Sequence, residues 1–155
     1  MGLFSRWLSS SGPVDPFAER AGGADVVFHA AGVRIRSSAT DLRVPGAKRV
    51  SKAVSLHRGS VLVTSDHLCV SYRKYIAVDG KLRLDPNCAA QVSFDADGVH
   101  LTIDITRSLA GVPGKNEGHA QIDVVAPISA EVLEKLGDRA VAISPVQVSG
   151  IARRI

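Results

Sequence analysis

The side chains of this sequence best suited to chemistry are five histidines, two cysteines and a scatter of carboxylates. His29, His57, His67, His100 and His119 never stand four apart, the spacing that puts two imidazoles on one helix face. In Asp66-His67-Leu68-Cys69 the cysteine follows too closely to share a tetrahedral metal with its neighbours. Ser65, Asp66 and His67 are consecutive, and neighbours on a turn cannot present the aligned geometry of a catalytic triad. There is no G-x-S-x-G elbow, no P-loop and no dinucleotide fingerprint. Asp95 and Asp97 fall in a turn, where the carboxylate bonds its own backbone, and no series of calcium ligands follows them. The expectation is a protein with no catalytic residue, no metal and no cofactor. Cys69, inside Leu68-Cys69-Val70, reads as a small buried hydrophobe, and it and Cys88 are expected as free thiols.

Charge is the stronger signal. From Arg43 to Arg83 nine basic residues face only Asp66 and Asp79, a net of +7, whereas Leu84 to Asp138 carries a net of −6. A chain divided in this way can turn its basic side toward an anionic surface, unless the charges interleave once folded. Tyr72-Arg73-Lys74-Tyr75 is the one place where rings and cations alternate. The rest of the basic stretch has no interleaved aromatics on which bases would stack, so nucleic acid is not an expected partner.

The elements that must position these residues are mostly strands. At 155 residues, 45% hydrophobic, the chain has the material for one cored domain. No apolar run reaches the roughly 20 residues of a membrane-spanning helix, and the start lacks the apolar core of a secretion signal. Residues 1–23 read as an appendage with Leu3, Phe4, Trp7 and Leu8 grouped on one side of a short helix. Residues 24–137 hold the domain. Val26 to Arg36 reads as a hairpin turning at Ala31-Gly32, and Ser60–Thr64 with Leu68–Tyr72 as a second. Tyr75 to Leu84 supplies a further strand or bend, with Asp79-Gly80 as a turn signal. Gln91–Phe94 with Val99–Thr106 makes a third hairpin, with Leu101, Ile103 and Ile105 on the buried face. His119 to Val125 adds a strand with Ile122 and Val124 inward. One helix follows, capped by Ser129, striped by Val132, Leu133 and Leu136, and stopped at Gly137. Residues 138–155 read as an extended tail, because Pro145 forbids a regular central strand. The expected fold is mainly β: a small antiparallel barrel or orthogonal sandwich of six to seven strands with one C-terminal capping α-helix.

Within it, Gly59-Ser60-Val61-Leu62-Val63-Thr64-Ser65-Asp66-His67-Leu68-Cys69-Val70 resembles the hairpin of bacterial pleckstrin-homology-like domains, in which a glycine leads an apolar strand, a Thr-x-Asp turn and a second apolar strand. The resemblance spans Ala24 to Gly137 in element order and implies that the Ser129–Leu136 helix caps the barrel. Lipid-binding members carry Arg or Lys in that turn, where Asp66 and His67 stand here. The functional expectation is a cytoplasmic, non-catalytic binding or adaptor module, acting on a protein partner, on a second copy of itself, or peripherally on an anionic membrane. Leu3, Phe4, Trp7, Leu8, Arg43, Lys48, Arg49 and Lys52 are its candidate contact residues. A structural subunit docked through 1–23 and 138–155 is the alternative, and a carrier of a small apolar ligand is a third reading. Four apolar side chains at roughly 1.5–3 kcal/mol each bound the membrane term near 10 kcal/mol, before the costs of ordering a two-turn helix and of association are subtracted. That arithmetic predicts weak, reversible, salt-sensitive membrane contact.

Overall fold

The computed structural model describes residues 15–44 and 48–155. Eight strands form a closed antiparallel barrel: β1 (Val26–Arg43), β2 (Val50–Thr64), β3 (His67–Tyr72), β4 (Tyr75–Arg83), β5 (Ala90–Asp95), β6 (Gly98–Asp104), β7 (Glu117–Val125) and β8 (Arg139–Val141). Around the barrel they run β1-β2-β3-β4-β8-β5-β6-β7, and β7 returns to β1. Among the described residues a short 3-10 helix (Arg20–Gly22) precedes the barrel, and three α-helices are set between or after its strands, α1 (Ile105–Ser108), α2 (Ala130–Lys135) and α3 (Pro145–Ala152).

Several expectations are corrected. The strand count is eight, not six to seven. Ala31-Gly32 does not reverse the chain. β1 runs straight through it, pairing Ala30 with Val61 and Val33 with Gly59, so the one extra residue forms a bulge. Gly32, at φ 64°, supplies the left-handed residue that bends the strand there. Asp79-Gly80 likewise lies inside β4, with Gly80 paired to Leu68.

The C-terminal segment is not an extended tail. β8 splices β4 to β5 through two residue pairs on each side. Pro145, read as a strand breaker, opens α3 instead, where its missing N–H costs nothing, and Ser144 Oγ caps the helix by accepting from the Gln147 N–H. Val148, Ile151 and Ala152, at i, i+3 and i+4, are buried in the barrel core. This helix fills the role that sequence assigned to Ser129–Leu136. α2 does form there, with Ser129 Oγ accepting from the Val132 N–H, but it buries no residue fully.

Ser60–Thr64 and Leu68–Tyr72 are buried at every position, the polar Ser60, Thr64 and Ser71 included, because both faces of the β2–β3 hairpin are covered. Val61, Val63, Leu68 and Val70 line the core, while Leu62 and Cys69 lie under Phe17 on the outside. Phe17 belongs to the segment 15–23, which is tied to the barrel by Asp15 Oδ2 at 2.7 Å from His29 Nε2. The candidate contacts Leu3, Phe4, Trp7 and Leu8 lie outside the described residues.

Gly59 sets the β2–β3 approach. A Cβ there would stand 1.7 Å from the Ser71 carbonyl oxygen and 2.8 Å from Ile35 Cδ1. Gly59→Ala must push the strands apart, and the expected cost is about 1–3 kcal/mol or more in urea denaturation. Gly22→Ala meets nothing within 4 Å and is expected to stay within about 0.5 kcal/mol of wild type. Equal midpoints for the two variants would contradict this register.

Candidate functional site

Outward-facing residues of β1 and β2 are matched across the ladder, and the register sets Arg34 directly opposite Arg58. Like charges in that position repel and weaken the sheet. The β3–β4 turn brings a third arginine to the same end of the barrel. The Arg73 N–H donates to the Arg58 carbonyl at 2.9 Å, and Arg73 holds φ 55°, a left-handed conformation that side chains other than glycine seldom adopt. The end of α3 supplies a fourth, Arg154.

Together with Leu56, His57, Tyr72 and Tyr75 these arginines line an open cleft of about 540 Å³. None of the described residues that line it carries a carboxylate. Arg34, Arg58, Arg73 and Arg154 have no acidic partner among the described residues. Two of the guanidiniums are steadied by carbonyls, Arg58 Nη1 donating to Gly32 O and Arg154 Nη1 to Gly150 O, both at 3.0 Å. Leu56 stands 74% exposed at the rim, far from the burial a leucine usually finds.

The aromatic floor is tightly organised. His57 and Tyr72 stack with ring centroids 4.3 Å apart and planes within 5°. Tyr72 turns its hydroxyl inward to Ser37 Oγ at 2.8 Å, and burial pushes its phenol up to about 12. The Arg154 guanidinium lies 3.3 Å above the Tyr75 ring. The Tyr75 hydroxyl can sit against α3 only because residue 150 is glycine, where a Cβ would stand 1.9 Å from it. Burial lowers the His57 imidazole below the usual histidine range. A hydrogen bond to the Arg154 backbone opposes that shift, and the Arg154 charge adds to it. His57 therefore carries less charge at neutral pH than an unperturbed imidazole.

The sequence-predicted basic contacts lie elsewhere. Arg43 ends β1, Lys48 and Arg49 are exposed in the connection, and Lys52 pairs with Thr40. Lys52 is six residues from Arg58 along β2, about 20 Å at strand rise. A second cleft of about 370 Å³ holds Cys88, Asp104, Arg107 and His119. Its Arg107 is already engaged by the Asn87 carbonyl, and Asp104 balances its charge. Asp95 Oδ1 accepts from the Asp97 and Gly98 N–H groups, the turn role that sequence assigned to it. His100 lies between Asp123 and Asp95; burial alone would lower its pKa, but hydrogen bonds and charge from the two carboxylates raise it. Cys69 accepts from Arg20 and donates to Asp79, with burial first and Asp79 second raising its thiol to about 11. Among the described residues, no group of three or more His, Cys, Asp or Glu is arranged to hold a metal, and no helix is long and apolar enough to cross a membrane.

A lowered His57 pKa fixes a sign for stability. The unfolded chain takes up this proton first, so the His57 contribution is complete above the ordinary histidine pKa of about 6.5 and is lost as pH falls toward the folded value. A proton NMR titration of the imidazole is expected to give a midpoint below 6.5 in wild type. Arg154→Ala, which removes a cation but keeps the backbone bond, is expected to move that midpoint up. An unchanged midpoint would contradict the electrostatic arrangement of the cleft.

No family model, curated protein or solved structure matches this chain.

Proposed function

We propose that this protein is a non-catalytic binding module of pleckstrin-homology-like architecture that grips an anionic surface through the arginine cleft. The observation that carries the reading is the Arg34–Arg58 pair, two like charges set directly opposite each other with Arg73 and Arg154 beside them and no carboxylate lining the cleft. Such a cluster weakens the empty protein and becomes favourable when an anion arrives. Arg73 adds a second cost of the same kind, since its φ of 55° would suit glycine better than arginine. Exposed Leu56 beside the cations suits the interfacial zone of an anionic membrane, where burying one leucine contributes about 1.5–3 kcal/mol.

The architecture is part of the same proposal, supported by the Gly59–Val70 hairpin and by a barrel whose chain ends in a plugging helix. The cleft lies beside Gly59 and Tyr72, at the opposite end of that hairpin from the Asp66-His67 turn. A role as an assembly subunit held by terminal arms has less to stand on, because residues 139–152 are folded into the barrel.

Sedimentation with vesicles tests the reading. Wild type is expected to bind vesicles containing phosphatidylglycerol, to ignore pure phosphatidylcholine, and to be released by salt. Each cation held near an anionic leaflet is worth about 1 kcal/mol, so Arg34→Ala/Arg58→Ala is expected to lose roughly thirtyfold in affinity. Lys48→Ala/Arg49→Ala is the comparator of equal charge and is expected to lose less. Arg73→Gly is expected to weaken binding while folding at least as stably as wild type, since glycine relieves the left-handed strain. Full binding by Arg34→Ala/Arg58→Ala would overturn the proposal.

A further inference from the structure

Resting on the reading of the cleft as the anion-gripping surface, we infer that it is a discrete site for an oligophosphate: a compact ligand carrying two or more linked or neighbouring phosphate groups, free or displayed on a lipid headgroup. Charge sets the number of phosphates. Four guanidiniums are permanently protonated and no carboxylate lines the cleft, whereas one phosphate group brings at most about −2. A single phosphate therefore leaves the site under-neutralised. Size agrees, since about 540 Å³ lies in the range of pockets for whole small molecules and far exceeds one tetrahedral anion.

Donor geometry points the same way. A guanidinium has five N–H donors in a planar fork that matches phosphate oxygens two at a time. Arg58 and Arg154 each spend one on a carbonyl, which holds the side chain in place and leaves the other donors for a ligand.

The aromatic residues disfavour the most obvious competing ligand, a nucleotide. A free aromatic face is a favourable platform on which a base can stack. Here Tyr72 is 6% exposed and stacked on His57, and Arg154 covers Tyr75. The cleft therefore offers more to the phosphates of a ligand than to a base.

His57 lies in the cleft wall and gives a local readout, because a bound anion raises the pKa of a neighbouring imidazole. The experiment titrates the full chain with inorganic phosphate, pyrophosphate and tripolyphosphate, and with sulfate at matched ionic strength. It follows the His57 ring signal and uses Arg34→Ala and Arg73→Gly as variants that leave the core untouched. Affinity is expected to rise at least tenfold from phosphate to tripolyphosphate, with the His57 midpoint moving up and both variants losing the gain. ATP is expected to bind no tighter than tripolyphosphate. Sulfate matching tripolyphosphate at equal ionic strength would overturn the inference, and so would ATP binding far above it.

Vesicle competition separates the sources and the two levels of the argument. Tripolyphosphate that binds and displaces the protein from phosphatidylglycerol vesicles supports one shared site. Tripolyphosphate that binds without displacing it supports a soluble ligand. Salt-sensitive vesicle binding that needs Arg34 and Arg58, with no tripolyphosphate binding, overturns the oligophosphate site and leaves the anion surface standing. Loss of both overturns both.

Discussion

Closure of the barrel through β1 is the constraint on which the rest of the structure depends. This strand is 18 residues long and is bonded on both sides, to β2 along nearly its whole length and to β7 over Arg34–Arg43. Because both neighbours are fixed, the outward face of β1 cannot slip by a residue without turning Ile35, Ser37 and Ala39 out of the core. The same register that buries them presents Arg34 outward against Arg58. The Ala31-Gly32 bulge takes up the one extra residue, and Arg58 crosses back to bond the Gly32 carbonyl. The basic end of the barrel is thus fixed by the requirements of the core.

The arginine cleft sets function against stability in a small space. A protein interested only in folding would put glycine or asparagine at position 73 and a carboxylate or a neutral residue opposite Arg34. Elsewhere the same barrel pairs its titrating groups carefully, with His29 on Asp15 and His100 between Asp95 and Asp123. What is local is the clustering: four arginines line one cleft with no carboxylate among its described lining residues, whereas Arg107 in the second cleft stands with Asp104.

Much of the fold was legible in the sequence because alternation reports a half-buried strand directly. Leu101, Ile103, Ile122 and Val124 were placed inward on strands and are buried there; Ile105, read as the next strand position, is buried too but opens α1, capped by Asp104. Three signals misled for physical reasons. Ala31-Gly32 has the residues of a turn, but a bulge uses the same left-handed glycine, and only the pairing of both arms to one strand tells them apart. Pro145 stops a strand and starts a helix equally well, and the i, i+3, i+4 set Val148, Ile151, Ala152 was the signal that favours the helix. β8 is three residues long and has no periodicity to read. The cleft was less legible still. Tyr72-Arg73-Lys74-Tyr75 stood out by composition, but Arg34 and Arg154 lie far from it in the chain and meet it only through barrel closure and the docking of α3. The segmental charge sum drew attention to Arg43–Lys52 instead, at the other end of the same hairpin.

The claim at the centre is that the cleft carries more positive charge than the fold wants. Stability measured against sodium chloride, for wild type and Arg34→Ala, tests it most directly. Repulsion between exposed arginines is screened within about 10 Å at 0.1 M salt, so wild type should gain stability as salt rises from low concentration. Arg34→Ala should start more stable, by about 0.2–1 kcal/mol, and respond less to salt. A wild type indifferent to salt, together with an Arg34→Ala variant less stable than wild type throughout, would mean that the arginines support the barrel and would contradict the account.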